Sequence, residues 1–86
     1  MKIKRFYWKD DLRAKIEGNH GVMAEEVEEV FDLPHLDRKC GRNRHKIWGR
    51  TRAGRLLFII IDDEGEDQVP VSARDMTKSE KKTFRK

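Results

Sequence analysis

The chain has 86 residues and a mass of 10.2 kDa, with 20 Lys and Arg against 16 Asp and Glu, a formal charge of +4 and a pI near 9.4. With 36% hydrophobic and 42% charged residues, it has material for one compact domain over residues 1–86 and too little for a Rossmann or barrel enzyme around an enclosed cofactor, so no cofactor is expected. The longest apolar run, Leu56 to Ile61, is about a third of the roughly 20 residues a membrane-spanning helix needs; Met1 to Trp8 does not read as a secretory signal, and the lone Cys40 leaves no internal disulfide, so a cytoplasmic protein with no membrane partner is expected.

Ile3 to Trp8 is short, aromatic and β-prone, and Asp10 then offers a helix N-cap, with Asp11 as a second acid in the first turn. Leu12 and Ile16 share one face of a short helix that Gly18 and Asn19 are expected to end. Met23, Val27, Val30 and Phe31 fall at helical spacing among Glu25, Glu26, Glu28 and Glu29, and Pro34 stops that second helix. Residues 34–43 read as an irregular polar loop. Arg44 to Thr51 and Arg55 to Ile61 form a hairpin about Arg52-Ala53-Gly54, the second strand apolar enough to be central and covered on both faces. After an acidic turn around Gly65, Gln68 to Ala73 reads as a strand in which Pro70 points to an edge or a bulge. Thr77-Lys78-Ser79-Glu80 matches a capping box that opens a basic C-terminal helix. The order β-α-α-β-β-β-α predicts an α+β domain with an antiparallel sheet packed against helices.

Charge is distributed in blocks. Residues 1–17 carry +3, 18–37 carry −6, 38–55 carry +8, 56–73 carry −5 and 74–86 carry +4. The central block holds Arg38, Lys39, Arg42, Arg44, Lys46, Arg50, Arg52 and Arg55 without an acid, which is either a solvated face or a surface for a polyanion. His35, Cys40 and His45 are evenly spaced, but a stable zinc site takes four ligands and only one thiolate is present, so no metal site is predicted. Phosphate chemistry is better supported. Clustered guanidiniums hold a phosphodiester and stabilise the charge that grows on it, and RNA carries its own nucleophile in the 2′-hydroxyl. Arg50, Arg55 and Arg74 are the phosphate candidates, with His45, Glu80 or a lysine for proton transfer. Each has a plain structural alternative: Arg55 paired with Asp62 or Asp63, Glu80 acting only as a cap, His45 as an ordinary strand residue. A noncatalytic RNA-binding or regulatory module, with Trp48 or Phe84 as a stacking face, is the reading from a different class. A third is a basic surface that docks an acidic protein, with Trp8 and Trp48 as anchors or, more simply, as core.

Several stretches together resemble the BrnT family of bacterial toxins: Trp8, Asn19-His20-Gly21-Val22, Glu25-Glu26-Val27-Glu28-Glu29-Val30-Phe31, Gly49-Arg50-Thr51, Gly54-Arg55-Leu56-Leu57, and Ser72-Ala73-Arg74-Asp75-Met76-Thr77 with Glu80. The resemblance implies a RelE-like fold, ribonuclease activity that halts translation, and a ribbon-helix-helix antitoxin of the BrnA kind as partner. It carries the family's basic and polar signature onto Arg44, Gly49, Arg50, Arg55, Ser72, Ala73, Arg74 and Glu80. Many relatives have a tyrosine where this chain has Phe84, which cannot donate a proton or hydrogen bond. The combined reading assigns catalysis to Arg50, Arg74, Glu80 and His45, and RNA binding to Arg44, Lys46, Arg52, Arg55, Lys81 and Lys82.

Overall fold

A computed structural model of the protein describes residues 5–85. Its elements are β1 (Arg5–Phe6), α1 (Asp10–His20), α2 (Ala24–Asp32), β2 (His35–Lys39), β3 (Arg44–Arg50), β4 (Leu56–Glu64), β5 (Asp67–Asp75) and α3 (Lys78–Phe84). The α+β class and the expected elements are present in the expected order, with one strand more, because β2 occupies the segment read as a loop. Ile3 and Lys4, the start of the first expected strand, lie outside the described residues.

The strands form one sheet in the order β1-β5-β4-β3-β2. β1 runs parallel to β5 and every other neighbour is antiparallel, so the sheet is mixed. β4 is central, as its apolar run requires: Leu57, Ile59 and Ile61 face the helices, and with Ile16, Val22, Val27, Val30, Ile47 and Ala73 they form the core. β4 continues through the acids to Glu64, and the turn is a tight one at Gly65, whose φ of 67° suits glycine. Pro70 lies beyond Asp67 and Gln68, the two residues of β5 that pair with β1, so no strand among those described flanks it on that side. It pairs with Ile61 beside a register shift that leaves Val71 as the extra residue of a bulge.

The helix ends differ from the sequence expectation in detail. Lys9 is the N-cap of α1, and Asp10 and Asp11 both sit in its first turn, where the helix dipole favours acids. The helix runs past Gly18 to His20, and Gly21 supplies the left-handed residue at its end. In α2 the apolar face is Ala24, Val27 and Val30; Met23 precedes the helix, its amide donating to the Glu26 carboxylate at 3.0 Å. α2 approaches β3 so closely that a Cβ on Gly49 would lie 2.6 Å from Val30 Cγ1 and 3.0 Å from His35 Cβ.

Candidate nucleic-acid interface

Strand alternation divides the residues of the hairpin between two faces. His45, Ile47 and Gly49 face α1 and α2. Arg44, Lys46, Trp48 and Arg50 project from the opposite face, where their cross-strand neighbours on β4 are Asp62, Ile60, Phe58 and Leu56. β2 adds Leu36 and Arg38 opposite Trp48 and Lys46, and β5 adds Ser72 and Arg74 opposite Ile60 and Phe58. Among the described residues only α3 covers part of this second face, at one end. Arg38 and Lys46 are directly opposed like charges, an unfavourable pairing in an isolated sheet. Neither they nor Arg50 make an ion pair among the described residues.

Arg74 is held from three sides. Its guanidinium lies 4.4 Å from the centre of the Phe58 ring, its Nη1 and Nη2 donate to Glu80 Oε1 and Oε2 at 2.8 and 3.1 Å, and Nη1 also donates to the Asp75 carbonyl at 3.0 Å. Its Nε–H has no acceptor among the described residues. Glu80 is placed by the capping box the sequence predicts: its amide donates to Thr77 Oγ1 at 3.2 Å and its carboxylate accepts from the Thr77 amide at 2.8 Å. The same carboxylate accepts from Trp48 Nε1 at 3.3 Å. The Arg74 hydrogen bonds, followed by those from Thr77 and Trp48, outweigh burial and pull the Glu80 pKa down to about 2.

Beside this cluster lies a cleft of about 380 Å³ between β2 and α3, lined by Leu36, Asp37, Arg38, Trp48, Ser79, Glu80, Thr83 and Phe84. The outer surface of α3 carries Lys78, Lys81, Lys82 and Arg85 at i, i+3, i+4 and i+7. Arg38 and Leu36 were legible only as a cation in a basic block and a residue in a loop, since His35–Lys39 holds a single apolar side chain and no alternation that would mark a strand.

Arg74, Glu80, Lys46 and Arg50 therefore share one face, with Lys81 and Lys82 on the adjoining helix. Arg44 is on that face too, but its Nε and Nη2 are bound to Asp62 at 2.7 and 3.0 Å, and that pairing raises the Arg44 pKa and lowers that of Asp62. Three other expected site residues do not join them. Arg55 lies on the helix side, where it donates to Asp75, Glu26 and the carbonyls of His20 and Gly21, and it is not free for phosphate. Its partners are not Asp62 or Asp63, the acids the sequence offered as alternatives. Arg52 is bound at the end of α2, its amide to Glu29 and its Nη2 to Asp32. His45 faces α2 and is bonded through Nδ1 to Asp37 Oδ1 at 2.7 Å, so period-2 alternation separates it from Arg74 and Glu80. Trp8 packs against the core and donates to Glu28 at 3.0 Å. Among the described residues no group of three or more His, Cys, Asp or Glu side chains is arranged to hold a metal ion, and no helix is long and apolar enough to cross a membrane.

No family model and no curated protein matches the sequence. Its fold is similar to that of the ribonuclease toxin BrnT from Brucella abortus, whose crystal structure superposes with a TM-score of 0.73 at 15% identity, over 88% of this chain and 100% of that one. The likeness is one of fold.

Proposed function

We propose that the protein is an endoribonuclease of the toxin kind, cleaving single-stranded RNA at the open face of its sheet. The observation that carries this reading is Arg74, fixed over Phe58 by Glu80 with its Nε–H unused, on a face that also bears the unpaired Arg38, Lys46 and Arg50. A phosphodiester against Arg74 would receive charge-assisted hydrogen bonds that strengthen as the 2′-hydroxyl attacks phosphorus and negative charge grows on its oxygens. The substrate supplies the nucleophile, so the protein's part is in-line geometry and electrostatic stabilisation. Glu80, with a pKa of about 2, is ionised at neutral pH and cannot act as a general acid there; its role is to position Arg74. The likeness to a ribonuclease toxin fold supports the same reading. A BrnA-like ribbon-helix-helix antitoxin would then be the protein partner, covering the open face with acidic side chains, and an RNA target implies the cytoplasm.

The test is incubation of the purified chain with a single-stranded RNA in excess chelator. The expected products end in 2′,3′-cyclic phosphate and 5′-hydroxyl, and Arg74→Ala abolishes them. One observation favours the noncatalytic alternative: His45 faces away and the Glu80 carboxylate is a weak base, so neither of these two proton-transfer candidates serves as a base beside Arg74. Salt-sensitive binding of intact RNA without cleavage would decide for a binding module.

A further inference from the structure

The cleft between β2 and α3 has features that the grip on phosphate does not use. Its walls are apolar and partly exposed: Leu36 is 49% accessible, and Trp48 and Phe84 are intermediate. Trp48 is tilted against Phe58 at a centroid distance of 5.3 Å, whereas Phe84 makes no ring contact with any aromatic residue among those described. Two aromatic rings thus line one cavity without filling it. Ser79 and Thr83, at i and i+4 on α3, bring hydroxyls into the same space, and neither hydroxyl has a partner among the described residues. Arg38 lies at the margin with no carboxylate bound among the described residues, facing Lys46 across the strand pair. Aromatic walls, unused hydroxyls and an unpaired cation are the complement of a nucleotide: a flat ring to stack, polar edges to satisfy and a phosphate to neutralise. About 380 Å³ falls in the usual range of a small-ligand site.

We propose that this cleft binds one unstacked nucleobase of a single-stranded RNA, with Phe84 and Trp48 as its stacking walls and Arg38 meeting the phosphate beside it. The inference rests on the reading of the open face as an RNA site and names what that face takes beyond phosphate. Glu80 connects the two functions, since one carboxylate holds both the Trp48 indole and the Arg74 guanidinium. Stacking requires the ring of residue 84 and not a hydroxyl, so the phenylalanine here is suited to the task.

The test is affinity for a short oligonucleotide with 2′-fluoro riboses, which cannot cleave itself, and for the same backbone lacking one base at each position in turn. The intact chain should bind the complete oligonucleotide roughly tenfold or more tightly than at least one abasic form. Phe84→Ala should remove that discrimination while leaving the melting temperature unchanged, and Phe84→Tyr should restore it. A protein that binds the intact and abasic forms equally overturns the base subsite and leaves the phosphate site standing. A protein that binds none of them, and cleaves no RNA, overturns both. Concentration-dependent dimerisation that Phe84→Ala abolishes without RNA would assign the cleft to a second copy of the chain and overturn the proposal.

Discussion

Glu80 shows how one side chain can serve the fold and the site together. Its carboxylate caps α3, holds Trp48 and fixes Arg74, and its pKa of about 2 against an ordinary 4.5 expresses those contacts as stability. A shift of that size corresponds to about 3 kcal/mol; with the side chain 21% exposed, solvent screening reduces it to about 1–2 kcal/mol. Because the folded pKa lies below the unfolded one, this stability is complete above about pH 5 and is lost as pH falls towards 2; Asp62 and Asp75, whose pKa values Arg44 and Arg55 lower, add acid-sensitive stability of the same sign. Glu80→Gln should therefore be less stable than the native chain by about 1–2 kcal/mol at pH 7 and nearly equal to it at pH 2, as urea unfolding across that range will show. If Arg74 stabilises a transition state, Arg74→Lys keeps the charge and loses the planar fork, so kcat should fall by about 100-fold or more with KM little changed. Single-turnover cleavage at saturating RNA measures this directly.

At the scale of elements, two residues that the sequence attached to the site prove to assemble the fold. Arg55 joins the end of α1, the start of α2 and the end of β5 through its contacts with His20, Gly21, Glu26 and Asp75. Arg55→Met should lower stability by about 2 kcal/mol through loss of charge-assisted bonds while leaving RNA affinity unchanged, a combination that thermal melting and oligonucleotide titration test together. Gly49 lets α2 lie against β3, and Gly49→Ala should cost about 1–3 kcal/mol because Val30 and His35 are packed where the methyl would go. The elements legible beforehand were those with strong periodicity or explicit punctuation: α2 with its apolar stripe and Pro34, β4 with its aliphatic run, and α3 with its capping box. β2 was not. His35–Lys39 is polar and borders solvent along one edge, so register with β3 makes it a strand, and register is invisible in five residues of sequence.

Over the whole molecule, the +8 block of residues 38–55 does not form one surface. Alternation along β3 and the turn that follows divide it: Arg38, Lys46 and Arg50 are free on the open face, Arg44 is paired there, and Arg52 and Arg55 are bound to the acids of α2 and β5. Composition pointed to a basic surface but could not say which cations were already neutralised, because Asp32, Glu26 and Asp75 reach them only through tertiary packing. The convergence of Arg74 with Glu80 was partly legible, both being adjacent to one cap; the hydrogen bond from Trp48 to the same carboxylate was not. This division of the charge predicts the salt dependence of RNA binding. If Arg38, Lys46 and Arg50, the cations free on the open face, each neutralise one phosphate, log K should fall with log salt at a slope of about −2, from about 0.7 per contact on a single strand. Lys46→Ala should make that slope shallower by about 0.7 and weaken binding at low salt, whereas Arg52→Ala, which removes the same formal charge from the helix side, should leave the slope as it is. Titrations at several salt concentrations separate the two outcomes. Equal effects of the two substitutions would mean that binding responds to net charge alone, and the open face would lose its claim to be the RNA surface.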